Sequence, residues 1–266
     1  MRRRVMIATL TVAVLVLAAF AASPGFAQQA QLPALTPPPP PPIKPYPVVA
    51  VTPPAPLTDP DFVNLRKQLA DVAAKKDRAA LAKLVWAHIF WIQDKDLADK
   101  QKAGVDNLAK AIDLDSKEGS GWDILAGFAN EPTAAELPQQ KGVFCAPADP
   151  NIDPKALDAL GKATETDLSE WGYPTKDSLD VHAAADANSP VLEKLGMNLV
   201  HVLPDSTPPA NANEAMFLHV ATPSGKSGFI DAQALAPLGG DQMCYAKDAS
   251  GWKIAGYFGG VAQQLP

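Results

Sequence analysis

The apolar residues in the last third of the chain, from Trp171 to Gly260, follow a pattern typical of short β-strands. Strand-sized apolar runs such as Asn198 to Leu203 and Met216 to Ala221 are separated by clusters of Pro, Gly, Asn and Ser. No stretch in this region has the length and period of a useful helix. The pattern therefore predicts a compact β-module whose turn spacing is typical of a small barrel.

A different pattern, with apolar residues at helical spacing, runs from Asp59 to Asn130. Asp59-Pro60 is a helix start, because Asp caps free backbone amides and Pro is tolerated at the first helical position. The second helix is predicted to continue its apolar face into the stretch Trp86 to Ile92. Four short helices are expected, starting near Asp59, Asp77, Ala103 and Ser120. Helices this short need partners to be stable, so residues 59–170 are predicted to form a small helical domain with an irregular tail from Glu131.

The first 27 residues have the features of an export signal. A basic start is followed by an apolar run from Val5 to Ala22 and the small-x-small ending Gly25-Phe26-Ala27. Cleavage after Ala27 is the preferred interpretation, and an uncleaved anchor is the alternative, since the run is just long enough to span a bilayer. No Cys stands at the cleavage point, which disfavours a lipid anchor. A periplasmic or secreted location follows, with no transmembrane segment after signal removal.

Residues 28–58 have the composition of a proline-rich linker. Six consecutive prolines, Pro37 to Pro42, are followed by five more before Asp59. Such a run favours extended polyproline backbone and lacks a core-forming pattern. The segment is interpreted as a spacer, with a plain N-terminal tail as the alternative.

The β-module resembles the bacterial SH3-like (SH3b) domain family. Its first half is carried by Asp180-Val181-His182 and by Ser189 to Gly196, followed by Leu199 to Leu203. Its second half is carried by Phe217 to Val220 and by the turn Pro223 to Ser227 leading into Gly228-Phe229-Ile230-Asp231. Ser224-Gly225 supplies a hairpin turn, and Gly228 allows close approach of a neighbouring strand. One departure is Phe217, which stands where family members often have Trp.

The resemblance implies an α+β fold in which a small N-terminal helical domain precedes an SH3-like β-barrel module at residues 171–240. Some secreted bacterial proteins with this order end in a strand pair containing Lys and Gly-x-Trp. Residues 241–266, with Cys244 to Lys247 and Gly251 to Phe258, fit that ending. This terminal pair is expected to be tethered to the helical domain.

Cys145 and Cys244 are the two cysteines of a chain expected in an oxidising compartment, so a disulfide between them is the leading interpretation. It would close a loop of about 100 residues, which is a strong restraint on the unfolded chain. Two free buried thiols are the alternative. A catalytic thiol would need a His partner that sequence distance cannot establish.

Composition and charge exclude several classes of protein. The formal charge is −6 and becomes −9 after signal cleavage, because Arg2 to Arg4 are the only charged residues before Gln28. With Arg66 and Arg78 as the remaining arginines, the acidic body is a poor nucleic-acid binder. Gly225-Lys226-Ser227 imitates a phosphate-binding loop but lacks its first glycine, since Val220 occupies that position. No catalytic residues and no cofactor are predicted.

Two residue types remain as candidates for binding. Three predicted strands each contain one histidine, His182, His201 and His219, and pairing of adjacent strands would bring these side chains onto one face. Histidines on strands more often pack or face solvent than bind metal, so no metal site is assigned. Exposed aromatic side chains on such a module would hold peptides or glycans. The candidate ligand-binding residues are Phe217, Phe229, Trp252 and Tyr257. The alternative is that most of these four fill the core.

The resemblance implies an exported, non-catalytic envelope protein whose SH3-like module binds peptidoglycan peptide or a periplasmic protein partner. A wall-modifying hydrolase and a purely structural or assembly protein are the alternatives. The hydrolase requires clustered catalytic residues, which the sequence does not show. Solvent exposure of the candidate aromatic residues would favour binding, and their burial would favour the structural role.

Overall fold

The computed structural model describes residues 43–93, 95–204 and 216–259. The predicted signal peptide and the proline run Pro37 to Pro42 lie outside the described residues. Within the described residues, five α-helices and fourteen β-strands in three sheets make the fold a mixed α+β one, which confirms the predicted fold class at this level.

The helices are α1 Pro60–Lys75, α2 Arg78–Lys83, α3 Gly104–Ala111, α4 Ser120–Asn130 and α5 Pro154–Thr164. The first seven strands are β1 Val51–Thr52, β2 Val85–Ile92, β3 Ala135–Leu137, β4 Gln140–Ala146, β5 Asn151–Ile152, β6 Trp171–Pro174 and β7 Leu179–His182. The others are β8 Val191–Leu195, β9 Val200–Val202, β10 Phe217–Ala221, β11 Ser227–Asp231, β12 Leu235–Pro237, β13 Gln242–Asp248 and β14 Gly251–Phe258.

The helix starts predicted from sequence are present. The Asp59 carboxylate accepts hydrogen bonds from the backbone N–H groups of Asp61 and Phe62, at 2.8 and 3.1 Å. Burial raises the pKa of Asp59, but these two bonds and the nearby Lys247 ammonium outweigh it, so the net shift is downward. Asp77 caps α2 in the same way, through the N–H of Ala80. Local capping chemistry thus determines where these helices begin.

The prediction that the second helix continues through Trp86 to Ile92 is wrong. Helix α2 ends at Lys83, and Val85–Ile92 forms strand β2, which pairs in parallel with β14. The segment is rich in aromatic and β-branched residues, which favour strands once a partner strand is available. The tail after Glu131 is also more regular than predicted, since it forms β3, β4, β5 and α5.

A five-stranded sheet in the order β2-β14-β13-β4-β3 packs against the helices of the first half of the chain. The predicted C-terminal strand pair, β13 and β14, lies at its centre and is not an appendage. Buried side chains of α1, α3 and α4 form one core cluster with Tyr245, Trp252, Ile254 and Tyr257 of these strands. Phe62 of α1 makes edge-on ring contacts with Tyr245 and Trp252, at centroid distances of 5.1 and 5.4 Å.

The opposite side of the same sheet contains the disulfide. Cys145 of β4 and Cys244 of β13 are cross-strand partners and are bonded to each other, which confirms the predicted bridge. Both residues are buried beside Val143, Ala246 and Ala255. The bond therefore joins the C-terminal strand pair to a strand that precedes the β-module.

A seven-stranded antiparallel sheet in the order β12-β6-β9-β10-β11-β7-β8 forms the predicted β-module. Its core contains Val181, Val220 and Ile230. Within the described residues this sheet ends at β12 and β8, so it is not the closed barrel that the spacing predicted.

Part of the predicted linker belongs to the folded body. Tyr46, Val49 and Val51 are buried against Trp171 and Leu199 of the β-module. The Tyr46 hydroxyl donates to the Ala221 carbonyl at 2.8 Å, and burial raises the pKa of this phenol. The sequence did not predict this packing. The buried side chains alternate with exposed ones over only a few residues, which is too short a pattern to stand out in a proline-rich segment.

Replacing Gly228 by Ala is expected to destabilise the protein by about 1–3 kcal/mol. A Cβ at this position would lie 2.5 Å from Val181 Cγ1 and 2.6 Å from the His182 carbonyl oxygen, and the backbone atom has little room to move. Gly161→Ala in α5 is the matched control, because a Cβ there meets nothing within 4 Å. This control should be neutral or stabilising by up to about 1 kcal/mol. Urea unfolding measures both, and equal effects would contradict the packing.

Candidate functional site

Two of the four predicted ligand-binding aromatic residues lie inside the core. Trp252 is packed between the rings of Phe62 and Phe144, both at 5.4 Å. Tyr257 is 1% exposed, and its hydroxyl donates to Asp241 at 2.8 Å. Burial raises the pKa of Tyr257 most, and the hydrogen bond to Asp241 raises it further. Neither ring offers a contact surface to a ligand.

The other two aromatic residues, Phe217 and Phe229, lie half-buried on the seven-stranded sheet. Phe229 is the cross-strand partner of His219 on one side and of His182 on the other. Opposed residues in antiparallel strands share a face, and residues two apart on one strand do so as well. Phe217, Phe229, His182 and His219 therefore lie on one face of the sheet, which we call the aromatic–histidine face.

The rings of this face contact one another in pairs. The imidazole of His219 stacks on Phe229 with centroids 4.9 Å apart and an interplanar angle of 19°. Phe217 meets His182 edge-on, at 6.4 Å and 82°. Such contacts hold the rings in fixed orientations, and a rigid ring surface loses little conformational entropy when it binds a ligand.

One imidazole has a defined tautomer in its neutral form. His182 Nδ1 lies 3.1 Å from the carbonyl oxygen of Ser189. A carbonyl only accepts hydrogen bonds, so Nδ1 must carry the hydrogen, and Nε2 is left as an acceptor. The aromatic–histidine face thus combines flat apolar rings with a hydrogen-bonding nitrogen.

The third strand histidine, His201, is on the same face of the sheet but in a different environment. It pairs with Ala221 across the strands, stacks on Trp171 at 4.9 Å, and lies 3.3 Å from a Glu170 carboxylate oxygen. The pKa of Glu170 is lowered by the backbone N–H of Asp167 and, secondarily, by His201. In the described part of the chain, no cluster of three or more His, Cys, Asp or Glu side chains is placed to hold a metal ion.

An exposed apolar side chain borders the aromatic–histidine face. Val191 is the cross-strand partner of His182 and is 45% exposed. Leu192 is also exposed, but it reaches the opposite face, where its side chain lies near Gly228.

The sequence identified Phe217 and Phe229 but did not connect them with the histidines. The period-two alternation of Phe217 with His219 was a signal for a shared face. The pairing of β11 with both β10 and β7 was the information that the sequence lacked.

No protein-family model, curated protein or solved structure matches this chain. Among the described residues, no helix combines the length and the apolar character needed to cross a membrane.

Proposed function

We propose that this chain is an exported, non-catalytic envelope protein whose β-module binds a peptide, either a cell-wall peptide or a segment of a periplasmic protein. The observation that carries the proposal is the aromatic–histidine face, with its four half-buried rings and the exposed Val191 beside them. Flat rings bind peptide side chains and glycan rings by stacking, and imidazole nitrogens hydrogen-bond to amide groups.

The resemblance to the SH3b family supports the same assignment. Four of its segments fall on β7, β8, β10 and β11, which pair as neighbours in the sheet. The turn between β10 and β11 has Gly225 at φ +82°, as a hairpin of this kind requires. We assign the seven-stranded sheet as an SH3-like module that remains open at β12 and β8.

Export to the periplasm or beyond is supported by the disulfide. A bond between Cys145 and Cys244 persists in oxidising compartments and is rare in the cytosol. The signal-like pattern of residues 1–27 points to the same route.

The test is co-sedimentation of residues 28–266 with purified cell-wall sacculi at physiological salt. We expect the protein to pellet, and Phe217→Ala with Phe229→Ala to reduce the bound fraction about tenfold, because hot-spot rings contribute most of the affinity. Leu168→Ala, which truncates an exposed side chain outside the face, is the matched control and should bind as the parent does. Thermal unfolding of each variant confirms that it remains folded.

A structural or assembly role is the second candidate, and the burial of Trp252 and Tyr257 favours it. Under this alternative the protein does not pellet with sacculi. Equal pelleting of the double variant and the parent would mean that the aromatic–histidine face is not the wall-binding surface.

A further inference from the structure

A cleft of about 630 Å³ lies at the β6–β12 edge of the β-module, where it meets the five-stranded sheet. The connection from β4 to β5, residues 147–150, forms one wall. Residues 239–241 of the connection from β12 to β13, with Gln242 at the start of β13, form another wall, and the end of α4 closes a third side. None of the residues of the aromatic–histidine face lines it, so the cleft is a separate feature.

The lining combines apolar surface with negative charge. Phe128 and several prolines supply the apolar walls: Pro53, Pro54, Pro132, Pro147, Pro150 and Pro237. The ionisable carboxyl groups are those of Glu131, Asp149 and Asp241. No Lys, Arg or His is among the described lining residues. The negative charge of the cleft is therefore electrostatically complementary to a positively charged ligand.

The acidic groups are held in place by their neighbours. Glu131 accepts hydrogen bonds from the N–H and hydroxyl groups of Thr133, at 2.7 and 2.5 Å. Gln242 Nε2 donates to the Pro147 carbonyl at 2.8 Å and to Asp149 at 3.3 Å, and so bridges two walls. The nearby disulfide joins the two strands from which these walls emerge. A cleft fixed in this way is preorganised for binding.

Tyr173 is the independent sign that something binds here. Its side chain lines the cleft and is only 7% exposed, yet none of the described residues forms a hydrogen bond with its hydroxyl. Burial raises the pKa of this phenol, and the charges of Glu131 and Asp149, which also line the cleft, raise it further. The hydroxyl is not one of the fully buried unpaired atoms, so it is open to the cleft, where a ligand group can form a hydrogen bond with it.

We propose that the cleft binds a primary ammonium group on an aliphatic stem, as carried by a lysine or another diamino acid within a peptide. The carboxylates of Glu131 and Asp149 receive the ammonium, and the Tyr173 hydroxyl donates to a carbonyl oxygen of the peptide. The ring of Phe128 and the proline walls contact the methylene groups of the stem. The inference does not depend on the aromatic–histidine face.

The experiment is isothermal titration calorimetry of residues 28–266 with an end-capped Ala-Lys-Ala peptide. We expect the norleucine peptide, which keeps the stem and lacks the charge, to bind at least about tenfold more weakly, as the loss of a charged hydrogen bond predicts. Salt should weaken the binding of the lysine peptide alone. A diamino-acid-containing wall peptide, titrated in parallel, distinguishes a cell-wall source from a protein lysine by relative affinity.

Three variants locate the binding. The Glu131→Gln with Asp149→Asn variant should lose about tenfold in affinity for the lysine peptide, and Tyr173→Phe about fivefold. Glu118→Gln removes the same kind of charge at an exposed position outside the cleft and should change the affinity less than about twofold. Equal affinity for the norleucine and lysine peptides, or no effect of the two cleft variants, would overturn the inference. Phe217→Ala with Phe229→Ala should leave this affinity unchanged, which separates the cleft from the proposed wall-binding surface.

Discussion

Trp252→Ala is expected to lower the free energy of unfolding by about 3–5 kcal/mol, the usual cost of truncating a large buried aromatic side chain. Trp252 is 9% exposed and fills the space between α1 and β4. Its ring contacts Phe62 and Phe144 at the same centroid distance of 5.4 Å, so its removal leaves a cavity bounded by two other aromatic rings. Urea unfolding followed by far-ultraviolet circular dichroism measures the loss.

Phe229→Ala is the matched comparison for this variant. Phe229 is half-buried and has one stacking partner, His219, so its truncation should cost only about 1–2 kcal/mol. Trp252→Phe keeps a ring in the core and should cost less than Trp252→Ala. If Trp252→Ala left stability intact and abolished sacculus binding, Trp252 would be a contact residue and its core placement would be wrong.

Replacing both cysteines by Ala is expected to cost about 2–4 kcal/mol, with a fall in Tm of about 5–15 °C. The Cys145–Cys244 bond spans 99 residues, and a loop of this length restricts the unfolded chain strongly. The change in native-state packing is small by comparison, since Ala occupies most of the space of a Cys side chain. Differential scanning calorimetry of the oxidised parent and the double variant measures the change in stability.

Two further measurements test the bridge. Cys145 and Cys244 are 2% and 0% exposed, so a reducing agent should attack the bond only after the surrounding sheet opens. Reduction should therefore be slow in buffer and fast in denaturant. The single variant Cys244→Ala should lose nearly as much stability as the double variant, because either change breaks the same cross-link. A double variant as stable as the parent would show that the bridge contributes nothing to stability.

The candidate surface was only partly predictable from the sequence. Phe217 and Phe229 were chosen as aromatic residues of a module that was expected to bind through exposed rings. Trp252 and Tyr257 were chosen on the same ground, yet they point into the core. Alternation tells which residues share a face of a strand, but it does not tell which face is later covered by helices. The acidic cleft was not predicted at all, since Glu131, Asp149 and Tyr173 come from separate segments.

The sequence by itself determined the features whose cause is local. Asp59 and Asp77 cap their helices because the carboxylate of each reaches amides within three residues, and Gly225 turns the β10–β11 hairpin because its positive φ suits glycine. The pairing of Cys145 with Cys244 was predicted because they are the two cysteines of a chain whose first residues have the pattern of an export signal. Strand β2 was decided by the tertiary structure, because its partner β14 lies more than 150 residues further along the chain. Long-range pairing of this kind outweighs a local helical pattern, since the hydrogen bonds and buried area that it supplies are not encoded within the segment itself.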